Sequence, residues 1–427
     1  MGVPLRLILV PMGSWGDVYP FLWLGKALAE RGHDVRVVIN PPFDAAFQAA
    51  GLQPIVYGTR DQYEAILQHP DLWHPRRGFP LIARTSEELS REIIPRIRAE
   101  HVPGRTLLAA AGIAFGARIA AEAFRIPLVT VQMQPAVFLS ADDPPVIPAG
   151  AEWLRRVPRW VVRALFALGY LQTDRLLAGW VNRLRRELGV RNPVRRIMRE
   201  YWMSPLRVLA LFPDWFGPKQ ADWPPQTVVT RFPLYDEGDR RVLDPAVEAF
   251  LDGGEPPLLF TPGSANIQAA RFFRVALDAC TRLNRRGLFV TPRAEQVPPA
   301  LPASFLHVPS APFSRLFPRC AAVVHHGGIG TVAQGLAAGV PQLVMPMSHD
   351  QPDNGARLRR LGVGDYLYPR AFRAAAVSAR LRHLLTSADV GRACGRYREL
   401  MARQMSTGEV VRVIEASLSP GNSRRYP

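Results

Sequence analysis

The chain alternates short apolar runs with amphipathic stretches, and several of those runs end in a glycine- or proline-bearing turn. Residues 5–11 form the first run, closing in Pro11-Met12-Gly13-Ser14. A helical stretch over 21–31 follows, then Gly32 and a second apolar run at 35–39. The second half repeats the theme. The run 257–260 ends in Thr261-Pro262-Gly263-Ser264, a helical stretch covers 270–284, and Gly287 introduces the run 288–291. Short apolar runs without polar alternation suit strands buried on both faces, and strand–helix–strand units of this size favour parallel pairing through crossover helices. Further strands are expected at 52–57, 107–110 and 128–132, and at 307–308, 321–324 and 342–345. The pattern predicts an α/β protein of two Rossmann-like, doubly wound domains facing across a cleft.

Proline marks the expected boundary. Pro213, Pro218, Pro224, Pro225, Pro233 and Pro245 crowd one region, which reads as linker and loop. The expected divisions are a first domain over 1–215, a proline-rich linker over 216–256 and a second domain over 257–395. A C-terminal helix in 396–427 should pack back toward the first domain, ahead of a disordered tail. Residues 153–189 stand apart, mixing arginines with Trp153, Trp160, Phe166, Tyr170 and Trp180. Past Pro158 they read as one or two amphipathic helices, either packed on the first domain, covering a greasy ligand, or lying on a membrane.

Residues 322–354 carry the densest chemistry. An apolar strand leads into His325-His326-Gly327-Gly328-Ile329-Gly330-Thr331, a helix follows, and a buried strand at 340–346 delivers the polar loop 348–354. Glycines let backbone approach a ligand, and a helix N-terminus offers unpaired N–H groups and a positive dipole end to phosphate. Polar side chains on the next loop, at the carboxyl edge of the sheet, then suit a sugar. A nucleotide sugar combines the two.

Bulk properties narrow this reading. The 427 residues carry a net charge of +17, which invites a nucleic-acid partner. Of 53 basic residues, however, only Lys26 and Lys219 are lysine, and the arginines are spread along the chain. That distribution looks like codon bias, so no nucleic-acid partner is expected, while a basic surface resting on anionic lipid stays open. No apolar run reaches the roughly 18 residues of a membrane span, and residues 5–11 are too short for a secretion signal. Cys280, Cys320 and Cys394 have no metal or disulfide spacing and suit a reducing cytoplasm. The expected location is therefore cytoplasmic, or peripheral at the inner face of the cytoplasmic membrane.

The N-terminal loop, Gly13-Ser14-Trp15-Gly16-Asp17, lacks the dinucleotide G-x-G-x-x-G spacing, and the strand 35–39 ends at Asn40 without a ribose-binding acid. Nicotinamide is disfavoured. Asp17 reads either as a cap of the helix that follows or as a carboxylate placed for chemistry.

With these residues in view, the chain resembles inverting glycosyltransferases of the GT-B fold, in the large family acting on lipophilic small molecules. It most resembles the rhamnosyltransferases of rhamnolipid synthesis, in the segments GDVYPF, DLWHP, PLVTVQMQPAVFLSADDPPV and SPLRVLALFPDWFGPKQADWP. The resemblance implies that the first domain binds acceptor and the second binds the nucleotide sugar. Counting back without a gap from Asp350-Gln351 assigns the family histidine to His326, the phosphate-binding hydroxyl to Thr331 and the ribose contact to Gln334, where plant members usually have glutamate. Many members have Gly-His-x-x-Pro in the first loop; Gly16-Asp17-Val18-Tyr19-Pro20 puts Asp17 in the base position.

By the same resemblance, Gly328, Gly330, Thr331, His326 and Ser264 contact the diphosphate, Asp350 and Gln351 the sugar, and Val308 and Ser310 the nucleobase. Gly13, Ser14, His325, His349 and Asn354 are additional candidates, with His325 read as structural. The implied reaction is metal-independent, inverting transfer of a hexosyl group, with no cofactor. The favoured pair is dTDP-L-rhamnose and the hydroxyl of a 3-(3-hydroxyalkanoyloxy)alkanoic acid, itself made by a separate acceptor-synthesising enzyme. The alternative pair is UDP-glucose and a sterol, polyketide or flavonoid. A sugar-nucleotide epimerase and a non-catalytic membrane-associated protein are the remaining readings.

Overall fold

The computed structural model describes residues 4–72, 74, 77–236, 241–263, 266 and 269–418. The chain folds into two compact units. The first comprises Met1–Pro145, Glu152–Pro233 and Met405–Pro427, the second Val146–Ala151 and Leu234–Gln404.

The first unit is built on seven strands: β1 (Arg6–Val10), β2 (Asp34–Ile39), β3 (Gln53–Val56), β4 (Thr106–Ala111), β5 (Leu128–Gln132), β6 (Arg207–Ala210) and β7 (Thr227–Val229). They lie in the order β3-β2-β1-β4-β5-β6-β7, all neighbours parallel. Leu7, Ile8, Leu9 and Val10 of β1 are fully buried, which explains an apolar run with no polar alternation. The second unit has six strands: β8 (Leu258–Thr261), β9 (Gly287–Val290), β10 (Phe305–Val308), β11 (Ala322–His325), β12 (Gln342–Val344) and β13 (Gly364–Tyr366). Their order is β10-β9-β8-β11-β12-β13, again all parallel. Each sheet is doubly wound as expected. Its strand order reverses beside the opening strand, between β1 and β4 in one unit and β8 and β11 in the other. Such reversals open a crevice at the carboxyl ends of the strands.

The expected boundaries shift in two places. The stretch read as linker over 216–256 is divided: residues 216–233 belong to the first unit, where Trp223 stacks on Phe138 at 4.0 Å and Phe216 packs against Phe232. They carry β7, a three-residue edge strand flanked by prolines, too short to show a period. At the other end, the helix Ala388–Ala402 stays with the second unit, and only residues from Met405 onward join the first. There Ser406 and Glu409 cap the helix Thr407–Glu415 reciprocally, and Glu415 accepts from Arg31 Nε at 2.8 Å and lies 2.9 Å from His33 Nε2. The aromatic, arginine-rich segment forms one long helix, Arg159–Glu187.

Candidate functional site

Asp17 lies at the reversal of the first sheet. The helix Trp15–Glu30 starts earlier than its apolar period indicates, so Asp17 sits inside the first turn and does not precede it. Its Oδ2 reaches back to accept from the Ser14 backbone N–H at 2.8 Å and lies 3.2 Å from Ser14 Oγ. Gly13 makes room for the carboxylate. Its φ is +127°, and a Cβ there would stand 2.3 Å from Asp17 Oδ2. The half-buried carboxyl has its pKa raised above the ordinary 3.8 by burial, opposed by the two Ser14 hydrogen bonds. An aromatic wall stands beside it: Trp15 meets Phe43 edge-on at 4.7 Å, Phe43 meets Tyr63 at 5.4 Å, and the Tyr63 hydroxyl donates to the Gly13 carbonyl at 3.3 Å. Burial and then the charge of Asp17 raise the Tyr63 pKa, keeping it a neutral donor.

The second reversal carries the glycine turn. The two histidines have separate jobs. His325 is fully buried in β11; its Nδ1 accepts from the Gly327 N–H at 3.1 Å, which leaves Nε2 to donate to Gln342 Oε1 at 3.0 Å. It holds the turn. His326 lies between the loops that follow β8 and β11. A Cβ on Gly263 would stand 2.6 Å from its ring, and one on Gly328 would stand 2.5 Å from it. Its buried Nδ1 has no hydrogen-bond partner among the described residues. Burial lowers its pKa to about 4, so at neutral pH it offers a hydrogen bond and not a positive charge.

The helix Ile329–Ala338 starts at Gly328, and its first intrahelical donor is Val332 N–H to the Gly328 carbonyl at 3.0 Å. The earlier N–H groups of Ile329, Gly330 and Thr331 fall in the turn that has no intrahelical acceptor. A Cβ on Gly330 would meet nothing within 4 Å, so this end of the helix is open. Gln334 is buried one turn further on.

The polar loop is partly committed to holding itself. Gln351 is buried, and its Oε1 accepts from Met347 N at 2.7 Å and from Ser348 N at 3.3 Å. Asn354 Nδ2 donates to the Gly327 carbonyl at 2.9 Å and to Asp350 Oδ2 at 2.7 Å, tying this loop to the glycine turn. Exposed His349 takes a left-handed conformation, φ +59°, directly before Asp350. Ser348 Oγ and Asn354 Oδ1 are buried without partners among the described residues, like His326 Nδ1. Three buried polar atoms without partners among the described residues, on two loops that Asn354 ties together, suit a polar ligand. Val308 is buried at the end of β10, and Ser310 Oγ accepts from Arg241 at 2.7 Å. Ser264 lies outside the described residues.

Sequence reasoning missed Gln132. It ends β5, is buried, and its Nε2 has no hydrogen-bond partner among the described residues; a Cβ on Gly112, just past β4, would stand 2.3 Å from that nitrogen. Read as part of an apolar strand, it gave no signal of its own.

The histidines predict a pH dependence of stability. Burial lowers His325 to about 3 and His326 to about 4, from 6.5. The unfolded chain therefore takes up protons first as pH falls. The stability from keeping the rings neutral is complete above pH 6.5 and lost from there toward 4 and below. We expect the urea midpoint to drop between pH 7.5 and 5, and to drop less in His326→Gln. A flat profile over that window would contradict the buried, neutral pair.

Two doubly wound units, each with a glycine turn and polar side chains at its sheet reversal, place the chain among the α/β proteins that hold ligands at the carboxyl ends of their strands. Known proteins sharpen this. The chain is 31% identical to the O-mycaminosyltylonolide 6-deoxyallosyltransferase of Streptomyces fradiae, over 96% of this chain and 97% of the other. Residues 281–417 match the family described as erythromycin biosynthesis protein CIII-like, C-terminal domain. The glycosyltransferase of kitacinnamycin superposes with a TM-score of 0.75 at 20% identity, over 98% of this chain and all of that one. Spinosyn rhamnosyltransferase SpnG complexed with thymidine diphosphate superposes at 0.66 and 19% identity, over 96% of this chain and 100% of that one. The chain belongs to the GT-B glycosyltransferases related to erythromycin biosynthesis protein CIII. It is a glycosyltransferase.

Proposed function

We propose that the protein transfers a 6-deoxyhexosyl group, L-rhamnosyl from dTDP-L-rhamnose being favoured, to the hydroxyl of a lipophilic acceptor, without a metal and with inversion. The observation that carries the reading is the open N-terminus of helix Ile329–Ala338, with His326 clasped beside it. As the anomeric C1–O bond to diphosphate breaks, negative charge grows on the leaving oxygens. The N–H groups of Ile329 to Thr331, the helix dipole and a hydrogen bond from neutral His326 stabilise that charge. The acceptor oxygen attacks C1 from the opposite face, and its proton passes to Asp17 as the new C–O bond forms. Asp350, Gln351 and Asn354 orient the sugar. dTDP leaves, and the glycoside carries the inverted configuration. A 6-deoxysugar on dTDP is supported by the relative named for 6-deoxyallosyl transfer and by the rhamnosyltransferase seen with thymidine diphosphate.

For the acceptor we favour a hydroxylated fatty acid of the 3-(3-hydroxyalkanoyloxy)alkanoic type, as in rhamnolipid synthesis, supplied by a separate enzyme. The support is the likeness of the segments quoted above. A second reading, transfer to a polyketide-derived macrolide, is favoured by the Streptomyces fradiae relative. Donor hydrolysis followed with dTDP-rhamnose and with UDP-glucose separates the donors. Mass spectrometry of products from a lipid extract and a macrolide aglycone panel separates the acceptors. A product with UDP-glucose alone would sink the deoxysugar reading. We further expect full turnover in excess EDTA; abolition that added Mg²⁺ restores would overturn the metal-free mechanism.

A further inference from the structure

The long helix Arg159–Glu187 is apolar on two sides. One side is an ordinary core face: Val162, Leu177, Trp180, Val181 and Leu184 are buried. The other is exposed. Trp160 is 71% exposed, Leu168 55% and Leu171 48%, with Leu165 and Leu176 also on the surface. At 3.6 residues per turn these five side chains share one arc, roughly 160° wide, opposite the buried one. Trp153, 49% exposed, continues the apolar surface just ahead of the helix. These account for six of the nine large hydrophobic residues exposed among the described residues. They cluster within 24 positions, from 153 to 176, so they form a site and not scattered exposure.

The charge along this segment is predominantly positive, although Arg155, Arg159, Arg183, Arg185 and Arg196 are paired with Asp143, Asp142, Glu87, Glu122 and Glu200. Between residues 151 and 200 the chain carries twelve arginines against four acidic residues. Two of the acids are committed inward or to partners: Asp174 is buried and accepts from Met198 N at 2.9 Å, and Glu187 pairs with Arg91 at 2.9 Å. Arg156, Arg163, Arg175 and Arg186 are exposed, and Arg175 lies within the apolar arc itself. Among the described residues no helix is long and apolar enough to cross a membrane.

We propose that this face adsorbs in plane to an anionic lipid surface. Tryptophan at one end of an arc of leucines seats at the headgroup level, the leucines enter the acyl boundary, and the arginines meet lipid phosphate while their stems lie along the apolar face. A protein partner would need acidic side chains around an apolar groove. A lipid bilayer supplies both features everywhere, and the predominantly positive charge favours it. The inference does not depend on which acceptor the enzyme uses. Adsorption would bring a membrane-dissolved acceptor to the enzyme, and would equally hold if the acceptor came from solution.

The test is co-sedimentation of the full chain with vesicles of phosphatidylcholine alone and with about 30 mol% of the anionic lipid phosphatidylglycerol. We expect binding to the anionic vesicles only, weakening as NaCl is raised. Each interfacial arginine should contribute about a fivefold gain in partition. Trp160→Ser/Leu168→Ser/Leu171→Ser should lower the partition coefficient by about tenfold or more. Its donor hydrolysis in solution should stay unchanged, since none of the three belongs to the site described above. Arg163→Glu/Arg175→Glu should abolish the preference for anionic lipid and serves as the second variant. Equal binding of wild type and the triple variant overturns the proposal, as does absence of binding to either vesicle. A concentration-dependent dimer in analytical ultracentrifugation that the triple variant abolishes also overturns it, assigning the face to a second copy. Loss of donor hydrolysis in the wild type would instead count against the glycosyl-transfer reading alone.

Discussion

Asp17→Asn is expected to lower kcat by a factor of about 10³, within the 10²–10⁴ that a positioned general base contributes, while leaving donor affinity unchanged. Asparagine is the informative replacement. Its Oδ1 can still accept from the Ser14 N–H that Asp17 holds at 2.8 Å, so the first turn of the helix keeps its cap. Alanine would leave that N–H without its partner, costing about 1 kcal/mol of local stability and confusing the two roles. The structural role of Asp17 is thus real, and the same hydrogen bonds aim the carboxylate. If capping were its whole purpose, the asparagine variant would turn over at close to the wild-type rate. Steady-state kinetics beside dTDP binding by calorimetry separates these outcomes.

The pH profile gives an independent readout of the same group. Burial raises the Asp17 pKa above 3.8. A base must be ionised to act, so activity should fall as pH drops through that raised value, placing the acid limb of kcat/KM, which reports the free enzyme, above the ordinary 3.8. The limb should vanish from the residual activity of Asp17→Asn.

Much of this site was legible in the sequence because a parallel doubly wound sheet writes itself locally. Each buried strand is an apolar run, each crossover a helical period, and the ligand loop follows the strand where the order reverses. The turns after β1, β8 and β11 were visible for that reason. What the sequence hid was where side chains go once the loops meet. His326 and Gly263 are far apart in the chain, and only the structure shows that a Cβ on this glycine would stand 2.6 Å from the imidazole. Neighbouring His325 was read as structural, and the structure supplies the two hydrogen bonds that commit it to the core. Gln351 read as a sugar ligand, and its carbonyl oxygen turns inward to two backbone N–H groups of its own loop. Edge strands such as β7 and β13, three residues each, lack the length to show any period.

Gly328→Ala should cost about a hundredfold in kcat/KM, and the reason lies in one contact. Gly328 has φ −61° and ψ 137°, an extended conformation that alanine adopts without strain. The new methyl, however, would stand 2.5 Å from His326 Nε2 and 3.0 Å from Cε1, so the imidazole must move. His326 is boxed on its other side by Gly263, leaving it nowhere to go within the loop. If the ring serves the departing diphosphate as one preorganised donor, its displacement removes a contribution of about 10²–10³. His326→Ala should lose a similar amount. The decisive comparison is the double variant. With the ring gone, the methyl of Gly328→Ala meets no clash, so Gly328→Ala/His326→Ala should be no worse than His326→Ala alone. Losses that instead multiply would mean that Gly328 acts by letting phosphate approach the backbone directly, and would remove His326 from the pathway by which this glycine matters. A Gly263→Ala variant cannot make this distinction. Its φ of +87° strains any side chain, so part of its loss would persist whether or not His326 is present.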